Sequence, residues 1–247
     1  MGRKDTNPNT PTKAGQTPLV LAARKGHDGV VKLLLGREDL NPNITDIDRR
    51  TPLSWASEKG DDEVVKLLLG RDDVNPNIPD NRGQTPLVWA IKNRRDGVIK
   101  LLLGREDVNP NITDMNREAP LTWAMWEGLD GVVKLLLERE DINPNIPTYN
   151  GQTPFTFAAG HGQDRVVEIL LGREDVNPDM PDNDGQTPLS WAARNGHDGV
   201  VKLLLARKDV NPHMPDNHGK TPLLWAAEEG HDGVVKLLLD TLGRTPL

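Results

Sequence analysis

Apolar residues in this chain fall into two kinds of short run, and both kinds recur at one interval. The first follows a Thr-Pro pair at Thr17-Pro18, Thr51-Pro52, Thr85-Pro86, Thr153-Pro154, Thr187-Pro188 and Thr221-Pro222, with Ala119-Pro120 as the seventh member. The second is VVKLLL at 30–35, 64–69, 132–137, 200–205 and 234–239, with VIKLLL at 98–103 and VVEILL at 166–171. Successive prolines stand 34 residues apart, as Pro18 and Pro52 do. Seven copies in phase identify an internal repeat, the mark of chains that stack one small unit on the next.

Each copy predicts two helices. Thr accepts a hydrogen bond from an exposed N–H of the first turn, and Pro suits the first helical position, where no N–H is needed. The first helix runs through segments such as Leu189 to Asn195, and Gly196 supplies a left-handed stop. Asp198 opens the second helix with a carboxylate at the positive helix end. The DVNPN-I/M-P-DN-x-G stretch that follows is too rich in Pro, Asn and Gly for helix and predicts an extended loop with a tight turn. Helices this short fall below the roughly 12–15 residues that are marginally stable alone in water. Their apolar faces must be buried against the next copy, so an all-α solenoid of about seven 34-residue helix-turn-helix repeats with β-turn loops is expected. It forms a single domain over 1–247, with repeats near 12–45, 46–79, 80–113, 114–147, 148–181, 182–215 and 216–247.

Composition narrows the function more than the fold. The net charge of −7 argues against nucleic acid, whose binders are normally basic. The absence of Cys removes disulfides, thiolate catalysis and thiolate metal sites, and suits a reducing, cytoplasmic setting. No run approaches the roughly 18 apolar residues of a membrane span. No metal or cofactor is expected. Four histidines, at 27, 161, 197 and 231, stand in or beside the connection between helices, spread along the repeats, and cannot converge on one reaction centre. Asp182-Asn183-Asp184-Gly185 hints at a calcium loop, but Leu189 to Ala193 already belong to a helix, and a β-turn explains the string better. The Arg-Glu/Asp-Asp triplets predict solvated charges near helix ends, where an Arg can meet the carbonyl dipole. Trp55, Trp89, Trp123, Trp191 and Trp225 share one position with Leu21 and Phe157, which predicts core packing rather than a stacking platform for bases.

The string D-x-x-G-x-T-P-L-x-x-A-A-x-x-G-H-x-x-V-V-x-L-L-L, met almost throughout by Asp182 to Leu205 and followed by Asp209-Val210-Asn211, resembles the ankyrin repeat family over essentially the whole chain. The family's usual period is 33. The one extra residue here lies in the loop, where one residue fewer precedes Asp-Val-Asn and two more follow it, in Pro-Asn-Ile-Pro. The strings TPLSWAA and GREDVNPN are similar to the ankyrin arrays at the carboxyl end of fungal NLR-like NTPases of the NACHT/STAND class. That resemblance implies ligand sensing in innate immunity or self/non-self recognition. No G-x-x-x-x-G-K-[ST] phosphate loop is present. Lys4 to Asn9 reads as the tail of one further repeat, with Thr6 suited to an exposed end, and Gly243 to Leu247 as the start of another.

The copies differ from one another mainly at the turn tips and the ends of the first helices. In ankyrin proteins these positions line the concave, partner-facing surface. Ile47, Arg50, Arg82, Arg94, Arg95, Met115, Arg117, Trp126, Leu129 and Tyr149 depart from the consensus of the copies, and Arg, Trp, Tyr and Met are enriched at interface centres. They are the candidate partner-binding residues. The expected function is recognition of a protein ligand on the concave face by a monomer, with weak end-to-end self-association as an open alternative. A structural or autoinhibitory segment, or a consensus-like engineered scaffold, are the competing readings. An enzyme is the least favoured class.

Overall fold

The computed structural model describes residues 7–242, so Lys4 to Thr6 and Gly243 to Leu247, expected to belong to further repeats, lie outside the described residues. Among the described residues the regular elements are fourteen α-helices. The first helices of the repeats are α1 (Pro18–Lys25), α3 (Pro52–Lys59), α5 (Pro86–Lys92), α7 (Pro120–Trp126), α9 (Pro154–Gly160), α11 (Pro188–Arg194) and α13 (Pro222–Glu228). The second helices are α2 (Asp28–Leu35), α4 (Asp62–Leu69), α6 (Asp96–Leu103), α8 (Asp130–Leu137), α10 (Asp164–Leu171), α12 (Asp198–Leu205) and α14 (Asp232–Leu242). Contacts divide the chain into two compact units, Met1–Val132 and Val133–Leu247. In the first unit α1, α3, α5 and α7 pack side by side, as do α2, α4 and α6; in the second, α9, α11 and α13 form one layer and α10, α12 and α14 the other.

The helix signals act as the sequence predicts. Thr17, Thr51, Thr85, Thr153, Thr187 and Thr221 each accept from the N–H three residues on, whereas Ala119 caps nothing. The core is a repeated set. Leu19, Leu53, Leu87, Leu121, Phe155 and Leu189 from the first helices are buried, as are Val65, Leu68, Ile99 and Leu102 of the first unit and Val167, Leu170, Val201 and Leu204 of the second.

Polar groups in the loops fix the stacking register. Asn9, Asn43 and Asn77, each the second Asn of an Asn-Pro-Asn string, donate from Nδ2 to the carbonyls of Asp39, Asp73 and Asp107, at 2.6–2.7 Å. The same three residues accept through Oδ1 from the N–H groups of Asn41, Asn75 and Asn109, each at 2.8 Å. Each amide therefore satisfies one donor and one acceptor of the next repeat. The arginines of the charged triplets are also ties, not loose surface charges. Arg71 and Arg173 grip Asp73 and Asp175 two residues on, and each reaches back 2.8 Å to the last carbonyl of the preceding second helix, at Leu35 and Leu137. A guanidinium at a helix C-terminus meets the negative end of the dipole. Donation from these arginines lowers the Asp73 and Asp175 carboxyl pKa values.

The ladder position is not Asn in every copy, and His213 and Asp179 replace it in the second unit. At the position of Asn43 and Asn77 stands Asp179, whose Oδ2 accepts from Asn211 N–H at 2.7 Å while its Oδ1 is buried without a partner. Burial raises the Asp179 carboxyl pKa, and Asp209 adds to the rise. Asp179→Asn restores the missing donor and is expected to stabilise the chain by about 1 kcal/mol. Because the folded pKa is raised, the carboxyl's penalty sets in as pH climbs through that value, so the gain must shrink in acid. Urea unfolding of both chains across pH tests this. An equal or lower midpoint for the Asn variant at neutral pH would show that the ladder does not hold the register.

Candidate functional site

The turn at the start of each repeat is built around one carboxylate. Asp46 accepts through Oδ1 from the N–H groups of Asp48 and Arg50, both at 3.0 Å, which closes the turn. Its Oδ2 takes the indole N–H of Trp55 at 2.9 Å. The same arrangement joins Asp80 to Trp89, Asp114 to Trp123, Asp182 to Trp191 and Asp216 to Trp225, with indole bonds of 2.8–3.1 Å. All five carboxylates are buried. At Asp216 burial works to raise the pKa, but donation from Lys220, His218 and Trp225 outweighs it and leaves the group below its ordinary value. Trp55, Trp89, Trp123 and Trp191 are half-buried, so the indoles are not the core residues that their apolar replacements suggest; Trp225 is buried.

Cations cover the indole faces. In the first unit the Arg50 guanidinium lies 3.5 Å from the Trp55 ring centre and 4.0 Å from that of Trp89. Lys92 lies 3.9 Å from Trp123, Arg24 lies 5.4 Å from Trp55, and Trp126 meets Trp123 edge-on at 5.2 Å. The indole row is thus bonded to the turns through its N–H groups, and its rings are touched by Arg50 of one turn and by Arg24, Lys92 and Trp126 of the first-helix ends. Each such contact is worth about 0.5–2 kcal/mol depending on its exposure.

The candidate residues separate against this row. Ile47 and Met115 sit on turn tips, 66% and 74% exposed, with Arg82 on the tip between them. Successive tips are tied by backbone bonds from Asn81 N–H to Asp48 and from Met115 N–H to Arg82. Arg94, Arg95 and Trp126 are exposed at the ends of α5 and α7; Arg94 contacts Glu127, and Arg95 Nε donates to the Glu58 carbonyl at 3.0 Å. Leu129 is half-buried. Arg50 is buried at 6% exposure, sandwiched between two indoles and paired with Glu58 at 2.7 Å, so it supports the surface from beneath. Tyr149 is an exposed turn tip of the second unit.

Two features escape a reading by residue type. Arg49 and Arg117 take the left-handed backbone, at φ 60 and 63, where Gly15, Gly83, Gly151, Gly185 and Gly219 stand in the other repeats. Arg94 does the same, at φ 55, where the other first helices end on Gly. A side chain there costs about 1 kcal/mol relative to Gly. The Asp–Trp pair is the second. Every repeat with Trp on the first helix has Asp in the turn, whereas Leu21 and Phe157 go with Thr12 and Thr148. That pairing is visible by aligning the copies.

Glu118 follows the same turn as Asp114, at the position of Gln84 and Gln186. It is buried, and its Oε2 has no hydrogen-bond partner. Burial pushes its pKa up to about 7, and the Asp114 carboxylate adds to the rise. The folded value lies above the unfolded one, so stability is fully present below the ordinary carboxyl pKa and is lost as pH rises through about 7. Glu118→Gln is therefore expected to gain on the parent chain by about 1 kcal/mol between about pH 5 and about pH 8, solvent screening holding the gain to that size. Parallel stability curves for the two chains would refute it.

Among the described residues no helix is long and apolar enough to cross a membrane, and no group of three His, Asp or Glu gathers as metal ligands. No curated protein sequence matches the chain. Among solved structures it is similar to the crystal structure of the ankyrin repeat domain of Bcl-3, described as a unique member of the IkappaB protein family. That likeness has a TM-score of 0.76 at 25% identity and covers 91% of this chain and 99% of the other. The family model for ankyrin repeats in three copies matches overlapping windows at 2–80, 40–114, 72–148, 97–181, 125–214 and 157–246. With the repeat geometry described above, these matches mean that the chain belongs to the ankyrin repeat family.

Proposed function

We propose that the chain is a protein-recognition module whose partner docks on the turn tips and first-helix ends of the first unit, the face that is concave in the family. Ankyrin repeats are protein–protein interaction modules, which supports the general reading. The observation that carries the location is the gathering of exposed Ile47, Met115 and Trp126 with exposed Arg82, Arg94, Arg95 and Arg117 on that face. Clustered exposed apolar side chains beside arginines are the usual make-up of a contact surface. Tyr149 offers a comparable exposed aromatic in the second unit. The strings TPLSWAA and GREDVNPN support a more specific role as the ligand-sensing repeats of a cytoplasmic, fungal NLR-like receptor.

A photo-cross-linking residue in place of Met115, compared with one in place of exposed Lys66 on α4, tests this in extract of the source organism. Adducts to another protein from position 115 and not from position 66 are expected. Ile47→Ala with Met115→Ala should leave stability within about 0.5 kcal/mol and reduce adducts from a photo-cross-linking residue placed at position 126 about tenfold. Adducts from position 66 alone would place the contact elsewhere, and adducts to the parent polypeptide alone would favour an autoinhibitory segment.

A further inference from the structure

The chain carries a net charge of −7, yet its exposed cations gather unevenly. The acids Glu38, Asp39, Asp72, Asp73, Glu106 and Asp107 lie in the loops after the second helices. The turn tips and first-helix ends of the first unit carry Arg24, Lys25, Arg49, Lys59, Arg82, Lys92, Arg94, Arg95 and Arg117. Of the carboxylates on the same surface, Glu58 is engaged by Arg50 and Glu127 by Arg94, while Asp48 stays exposed beside Arg49 and Arg82. The matching positions of the second unit hold residues such as Tyr149, Asn150, Asn183 and Asp184, and its Arg194 is paired with Glu229, so the basic character is stronger in the first unit.

Three observations give this charge a direction. Arg49, Arg82 and Arg117 are exposed, and no side-chain hydrogen bond or ion pair ties them among the described residues. Arg49 and Arg117 also hold a left-handed backbone that glycine would adopt without strain, a cost that persists where the side chain serves a function. Between the ends of α1, α3 and α5 there is a cleft of about 330 Å³ lined by Arg24, Trp55, Glu58, Lys59, Asn93 and Arg95. It presents three cations beside the Trp55 indole, whose face Arg24 overlies, and its one carboxylate is held by Arg50.

Resting on the recognition reading above, we infer that the first unit binds an acidic, extended peptide segment of its partner, with one carboxylate side chain seated in the Arg24–Lys59–Arg95 cleft. The apolar side chains of Ile47 and Met115 between the basic tips suit a peptide with apolar residues among its acids. Polyphosphate is disfavoured, because the chain as a whole is anionic and apolar Ile47 and Met115 stand between the basic tips.

The test is selection from a random-peptide display library on the whole chain. Peptides of about 12 residues suffice, since about 3.3 Å per residue spans three helix spacings of about 10 Å. Enrichment of Asp and Glu by about twofold or more is expected, with binding that weakens as salt rises. A selected acidic peptide should bind Lys59→Gln/Arg95→Gln about tenfold more weakly. Arg49→Gly/Arg117→Gly should bind it about fivefold more weakly while melting a few degrees higher, so that loss of binding cannot be loss of fold. No acidic enrichment, unchanged affinity in both variants, or tighter binding of a labelled oligothymidine than of the selected peptide would overturn the inference. Protein adducts at position 115 together with neutral or basic selected peptides would keep the recognition reading and remove the acidic one.

Discussion

A helix of seven or eight residues does not persist alone in water, because its unfavourable first turn is never repaid by enough following bonds. Every helix here except α14 is of that length, and each therefore depends on burying its apolar stripe against a copy of itself. Apolar burial draws the helices together without specifying register, since one Leu-rich stripe fits another at several offsets. Register comes from the loops. The Asn-Pro-Asn amides and the triplet arginines each join a fixed atom of one repeat to a fixed atom of its neighbour, and these bonds form at one offset.

The turn aspartates link this architecture to its surface. One carboxylate closes the turn through Oδ1 and orients the indole through Oδ2, so the tip and the helix-end residues are held at a set distance. Tip side chains such as Ile47 and Met115 then project from rigid ground. Surface residues on such a frame can vary without disturbing the core, and the copies do vary most at the tips and first-helix ends. The left-handed arginines are the exception, since they place chemistry where the frame prefers glycine.

Much of this is legible in the sequence because it is repeated. The Thr-Pro caps, the left-handed stops and the short amphipathic helices follow from residue type and position, and the helices begin on the expected prolines and aspartates. The depth of the indoles is not legible that way. Leu21 and Phe157 in the same series suggest simple apolar volume, but a half-buried position beside a carboxylate and a guanidinium needs the backbone path of the turn to be known. Arg50 shows the same limit. Its charge and departure from consensus suggest a surface contact, whereas two neighbouring indoles and Glu58 give a guanidinium a buried site. The triplet arginines likewise look solvated until the preceding helix end, 36 residues away, comes within 2.8 Å.

The pairing of Asp with Trp, and of Thr with Leu or Phe, constrains how such an array can change over generations. Losing the aspartate first strands an indole N–H, and losing the tryptophan first leaves a buried carboxylate short of a donor, each at a cost of about 1–3 kcal/mol. A repeat therefore passes between the two forms through an intermediate worse than either end. Copying or exchanging whole 34-residue units avoids that intermediate, because the two residues, nine apart, travel together. Inheritance by blocks would keep the frame uniform along the chain and leave the tips and first-helix ends as the positions free to diverge residue by residue.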